Sequence, residues 1–282
     1  MTVEYHYFAE FDQELLQFLQ TYGVKHYVST GHIVFDIRSD NEGYGEFLRK
    51  YSDLHAFTRG WLASEEELAE AEWLTMYSTN CKLKPEAWEK TFEYSCRFTH
   101  ETECFGKIQR REMAYHAKQI GPYLFKTSVK WGRNAFYSAV TGGRETFFCS
   151  DRAISVIQNE GLSGLSFMPV KHYKSLQELT DMHQLVFEKI IPDEKIRIQG
   201  EQKIWNCPLC GLKKYRLDPL SLPVVSKDCL GEYDFYSTLE NYATFSDATR
   251  PNAIFVVSQK AYKVLKDNGM TRTLKFLPLI IE

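Results

Sequence analysis

A chain of 282 residues with 44% hydrophobic and 15% aromatic side chains can bury a core in one large or two modest domains, so it reads as globular. A formal net charge of −3 and a sequence pI near 6.3, with no long Lys/Arg run, argue against nucleic acid as a partner. No apolar run approaches the roughly 20 residues that span a bilayer, and the opening MTVEYHYFAEFDQ has early acids and no signal-peptide core, so no membrane is expected and the chain is expected in the cytoplasm.

In chain order, residues 3–8 read as a strand, and Phe11, Leu15, Leu16, Phe18 and Leu19 form a helical stripe that ends at Gly23. His32 to Ile37 is a second strand, the region of Asn41 to Gly43 a turn, and Gly45 to Ser52 a short helix. Ser64 with Glu67 three residues on is a capping box, and Glu65 and Glu66 favour a helix start. The chain becomes strand-like at Trp73 to Tyr77. Residues 94–132 hold two Cys, a turn at Gly121-Pro122 and the Lys130-Trp131-Gly132 tripeptide; Glu112, His116 and Gln119 are spaced to share one side of a helix. Residues 174–191 read as a helix closed by Pro192.

One stretch occurs twice. Ser150, Ala153, Ile154, Ile157 and Gly161 match Ser258, Ala261, Tyr262, Leu265 and Gly269 at a constant offset of 108, and after a one-residue insertion Phe167 and Pro169 match Phe276 and Pro278. Each copy supplies a strand, a Ser cap, a helical apolar stripe, a Gly C-cap and a second strand. The expectation is an α+β protein with two related halves, each ending in a strand-helix-strand unit. Its divisions are a small N-terminal α/β unit over residues 1–90, a first half over 91–173 and a second half over 174–282.

Seven Cys, an odd number spread along the chain, suit reduced thiols or a metal better than disulfides. Cys207-Pro208-Leu209-Cys210-Gly211 is half of a tetrahedral zinc site, and no other CxxC exists in the chain. Three readings stay open. One is a structural zinc completed by Cys96 and Cys104, or by Cys229 and a His. A second is a metal-free knuckle that keeps only its turn, and a third is a redox pair. Cys81 and Cys149 read as small buried hydrophobes.

No HExxH, GxSxG, P-loop or GxGxxG appears among the eight His and their surroundings, and helix capping accounts for Ser150 and Ser258, so no enzyme is expected. The segment Glu232 to Tyr242, with Tyr233, Asp234, Phe235 and Tyr236, and the acids Glu65 and Glu66 are candidate partner-binding surfaces.

The CPLCG motif, the two units at Ser150 to Pro169 and Ser258 to Pro278, and the KWG ahead of the first resemble the bacterial double-CxxCG motif family. More broadly they resemble immunity-type proteins encoded beside polymorphic toxins. The likeness covers roughly residues 90–282. It departs from the family pattern at Cys96 and Cys104, which stand too far apart for a CxxC. The resemblance implies a bacterial cytosolic protein that binds and neutralises a cognate toxin. The rival readings are a zinc-ribbon regulator of nucleic acid, with Lys213, Lys214 and Arg216 beside the knuckle, and an enzyme whose site is assembled from scattered His and acids.

Overall fold

The structure, a computed structural model, describes the chain except residues 55, 80–82, 105–106, 142–143, 201, 210, 212, 218–219, 240–241 and 245–252. It describes the backbone alone at 56–59, 94–104, 107–116, 140–141, 144, 202–205, 213–214, 216–217 and 242–244. Two compact units result, Met1–Glu70 and Ala71–Glu282, both mixing helix and strand.

The first unit runs β1 (Thr2–Glu10), α1 (Gln13–Thr21), β2 (His26–Ser29), β3 (His32–Arg38), α2 (Tyr44–Lys50), β4 (Ala56–Leu62) and α3 (Glu65–Glu70). Its antiparallel sheet has the order β2-β3-β1-β4, the split β-α-β arrangement. Alternation sorts the strands: Tyr7 and Ala9 of β1 and Ile33, Phe35 and Ile37 of β3 face one way. Leu15, Phe18 and Leu19 of α1 and Phe47 of α2 cover that face, and Asp12 caps α1 by accepting from the Leu15 N–H at 2.8 Å. Tyr7 meets Phe35 stacked at 5.1 Å and Phe47 edge-on at 4.8 Å, so aromatic packing fixes both helices on the same side of the sheet.

The second unit is built twice. Its first copy comprises β5 (Trp73–Ser78), the helical turn α4 (Trp88–Thr91), a long hairpin of β6 (Phe92–Cys104) and β7 (Lys107–Gln119), and the short β8 (Leu124–Phe125). It continues with β9 (Phe136–Thr141), β10 (Arg144–Cys149), α5 (Asp151–Asn159) and β11 (Leu165–His172). The second copy opens with β12 (Glu178–Phe187), β13 (Ile190–Ile191), β14 (Ile196–Gln199), a hairpin of β15 (Gln202–Asn206) and β16 (Lys213–Leu217), and β17 (Leu222–Val225). It closes with β18 (Phe235–Thr238), β19 (Tyr242–Thr244), β20 (Phe255–Ser258), α6 (Gln259–Asp267), β21 (Leu274–Pro278) and β22 (Ile280–Ile281).

Register shows that the equivalence extends well beyond the helices. Phe136-Tyr137-Ser138 lie opposite Cys149, Phe148 and Phe147, and Phe235-Tyr236-Ser237 lie opposite Val257, Val256 and Phe255. The two FYS strands are therefore counterparts. At the sheet edges Leu124 and Phe125 run parallel to Lys171 and His172, just as Val224 and Val225 run parallel to Ile280 and Ile281.

Each copy gives its first strand to the other copy's sheet. The orders are β8-β11-β12-β10-β9 and β13-β18-β20-β5-β21, so β12 fills the gap between β10 and β11, and β5 fills the gap between β20 and β21. Gln184 faces both Phe148 and Met168; Thr75 faces both Val256 and Leu277. The two strands thus occupy the same slot at the same register. Contacts across the unit are reciprocal, as about a two-fold axis. Arg152 of α5 donates to the Asn268 carbonyl behind α6 at 2.6 Å, and Lys260 of α6 donates to the Gly161 carbonyl behind α5 at 3.2 Å. Each cation satisfies a free carbonyl and the negative end of a helix. Phe147 and Phe255 meet between the copies.

Local chemistry explains the shared helix. Ser150 and Ser258 accept from the N–H groups of Ala153 and Ala261 at 3.3 and 3.0 Å, and Gly161 and Gly269 end the helices at φ +60° and +66°. Gly164 is required for a different reason: a Cβ there would lie 2.3 Å from the Phe235 carbonyl oxygen.

Three expectations need correction. Residues 174–191 contain the extended β12 in place of a helix, because the slot between β10 and β11 demands a strand. Glu112, His116 and Gln119 lie on β7, where helical spacing has no meaning. Residues 71–90, expected with the N-terminal unit, belong to the second, since β5 is a central strand of its sheet. The division expected at 173/174 falls in the turn between β11 and β12.

Candidate functional site

The described residues of the knuckle, Cys207, Pro208, Leu209 and Gly211, lie between β15 and β16 of the hairpin. Asn206 pairs with Lys213, and the Gly211 N–H, at φ +71°, returns to the Cys207 carbonyl at 2.8 Å. Cys207 is buried, and Cys210 lies outside the described residues. The β6–β7 hairpin of the first copy occupies the same place in chain order. Its register pairs Cys104 with Lys107 beside the turn and Cys96 with His116 further back; nothing is described of those side chains. Cys229, the other proposed ligand, donates its thiol to the Ser226 carbonyl at 3.0 Å, and burial, reinforced by Asp228, pushes its pKa up, which disfavours the thiolate a zinc ion needs. Among the described residues no group of three or more His, Cys, Asp or Glu is placed to hold a metal.

Three of the four aromatic-acid candidates turn inward. Phe235 and Tyr236 are 1% and 5% exposed because they are the FYS strand of the second copy, so they are core residues where exposed anchors were expected. Asp234 is buried as well: it accepts from the Ser258 hydroxyl at 2.7 Å and from the Ser163 N–H at 3.0 Å, tying β18 to α6 and to the loop behind α5. Tyr233 alone is partly open, with the Lys189 ammonium 4.0 Å from its ring centroid. Glu65 and Glu66 are exposed on α3, whose capping box is present: the Glu67 N–H reaches the Ser64 hydroxyl at 3.1 Å and the Ser64 N–H reaches the Glu67 carboxylate at 2.8 Å. The Met1 ammonium also holds Glu67, lowering that carboxyl's pKa.

The duplication supplies an internal comparison that picks out one polar inclusion. Glu145 accepts hydrogen bonds from Ser138 and from the Ser78 backbone, and desolvation raises its pKa; Tyr77 beside it is raised by burial too. The counterparts of Glu145 and Ser78 are Ala253 and Phe187, and the Phe187 ring packs on Phe147, Phe235 and Phe255. In both places the larger side chain belongs to the β8-β11-β12-β10-β9 sheet, Glu145 on β10 in one and Phe187 on β12 in the other.

The surface that sequence reading missed is on the first unit. The face of its sheet turned away from α1 and α2 carries a row across three strands, in which Tyr27 pairs with Val34 and Val34 with Phe8. Tyr27 is 68% and Phe8 53% exposed, and Phe8 stacks on His32 at 4.5 Å. One flanking row pairs Asp36 with His6, joined at 2.6 Å, and the other pairs His32 with Glu10. The signal was in the alternation itself: a strand with one wet face should read polar at positions 8, 27 and 34.

Comparison with protein-family models, with curated proteins and with solved structures returns no match to this chain. Its class is defined by fold alone, a mixed α+β protein with a strand-exchanged internal duplication. Among the described residues no helix is long and apolar enough to cross a membrane.

Proposed function

We propose that the chain is a non-enzymatic protein-binding module of the immunity type, which neutralises a cognate toxin by covering it. The supporting observation is the division of charge. Met1–Glu70 holds five Lys and Arg against thirteen Asp and Glu, a formal −8, whereas Ala71–Glu282 holds 29 against 24, a formal +5. A strongly acidic compact unit attracts a basic partner, speeds its encounter and repels acidic competitors. Occlusion needs shape and charge and no catalytic group of its own. Native mass spectrometry of the protein isolated gently from its own host tests this reading. A stoichiometric basic protein released by added salt is the expected result, and a chain that flies alone ends the proposal.

The positive balance of the second unit, with Lys213, Lys214 and Arg216 on β16, favours nucleic-acid binding as the second reading. Its signature is an affinity for DNA or RNA that falls linearly with log salt.

A further inference from the structure

We infer that the open sheet face of the first unit is the docking surface, and that its occupant is a cationic protein surface with an apolar centre. The inference rests on the partner-binding reading and locates its contact. Three features of that face converge. Tyr27, Val34 and Phe8 stand side by side on β2, β3 and β1 and form one apolar row. Neighbouring rows of a sheet face lie about 7 Å apart, so each acid-bearing row borders the apolar one directly. Asp36, bonded to His6 at 2.6 Å, stands on one side and Glu10, opposite His32, on the other; Glu4 lies one row further out opposite Arg38, which forms a bidentate pair with Asp40 at 3.0 and 2.6 Å. The unit as a whole carries −8.

An aromatic sheet face of this topology also suits stacked nucleobases. Charge decides against that occupant, because phosphates approaching acids on both sides of the row are repelled. A protein surface with an apolar ridge between Lys or Arg side chains meets both features: its ridge covers Tyr27, Val34 and Phe8, and its cations meet Asp36 and Glu10. Large, rigid aromatics lose little side-chain entropy on such burial, which suits Tyr27 and Phe8 to an anchoring role.

The experiment uses the full chain and two synthetic probes, a short peptide alternating Lys with Leu and its counterpart alternating Glu with Leu. Calorimetry measures affinity, and hydroxyl-radical footprinting reads Tyr27 and Phe8 before and after addition. Binding of the Lys peptide only is expected, with protection of both rings. A Phe8→Ser/Tyr27→Ser variant should weaken it at least tenfold at unchanged Tm, and Glu10→Gln should weaken it with the fold intact. Four results overturn the placement: no binding of the Lys peptide, equal binding of the Glu peptide, affinity indifferent to the two ring substitutions, or rings already protected in the free chain because the second unit or a second copy covers them. None of these touches the broader reading, which fails only if no basic protein accompanies the chain from its host.

Discussion

Phe147 and Phe255 occupy the same position in the two copies and meet edge to face, ring centroids 4.9 Å apart and planes at 87°. Both are at most 7% exposed. Replacing either by Ala should cost about 3–5 kcal/mol. Because each is the other's partner, the double variant should lose less than the two single losses together. Urea unfolding of the three variants measures this; full additivity would mean that the rings act independently.

Strand exchange makes the two copies one cooperative body. A protease site placed in the exposed turn at 174–177, between β11 and β12, should be cut without separation of the fragments, since β5 and β12 remain held in the opposite sheets. Gel filtration after cleavage checks this, and two separate native-like peaks would contradict the exchange.

Asp234 should prove structural. Asp234→Ala leaves the Ser163 N–H and the Ser258 hydroxyl without their acceptor in a buried place, at a cost of about 1–3 kcal/mol. Thermal unfolding should show the loss, while affinity for a partner at a temperature where the variant is folded should not change.

Glu145 predicts a pH dependence. Its carboxyl is raised in the folded chain, chiefly by desolvation, so the folded state favours the protonated form. Its contribution is fully present below the carboxyl's unfolded pKa and is lost as pH rises through the higher folded one. Glu145→Gln should therefore gain stability relative to the parent as pH climbs from acid toward neutral. Denaturant midpoints of both proteins across that range test the sign, and a Gln variant whose midpoint falls relative to the parent's as pH rises refutes it.

What the sequence revealed depended on how local the cause was. The Ser caps, the Gly ends and the Ser64 capping box act within a few residues and were readable. The FYS pair was equally present in the letters, but insertions displace it from the offset that aligns the helices: β6 and β7 lengthen the first copy, and the long connection holding β19 lengthens the second. The aromatic-acid composition of Glu232 to Tyr242 therefore read as an exposed surface, when the counterparts of Phe235 and Tyr236, Phe136 and Tyr137, are buried strand residues. The segment that became β12 carries helix-compatible residues, and only a vacancy in a distant sheet makes it extended. The open face escaped notice because Tyr27, Val34 and Phe8 belong to three strands and become neighbours only through register.

The exchanged strand also sets a timetable for synthesis. β5 leaves the ribosome early, yet Met76 pairs with Phe255, which is made about 180 residues later. At typical elongation speeds that is a wait of roughly 10–40 s. The first unit has all its strands by then and can fold while the rest is translated. Trp73, Leu74 and Met76 stay without their sheet for most of translation, so the nascent chain, more than the finished protein, is where a chaperone would find its grip.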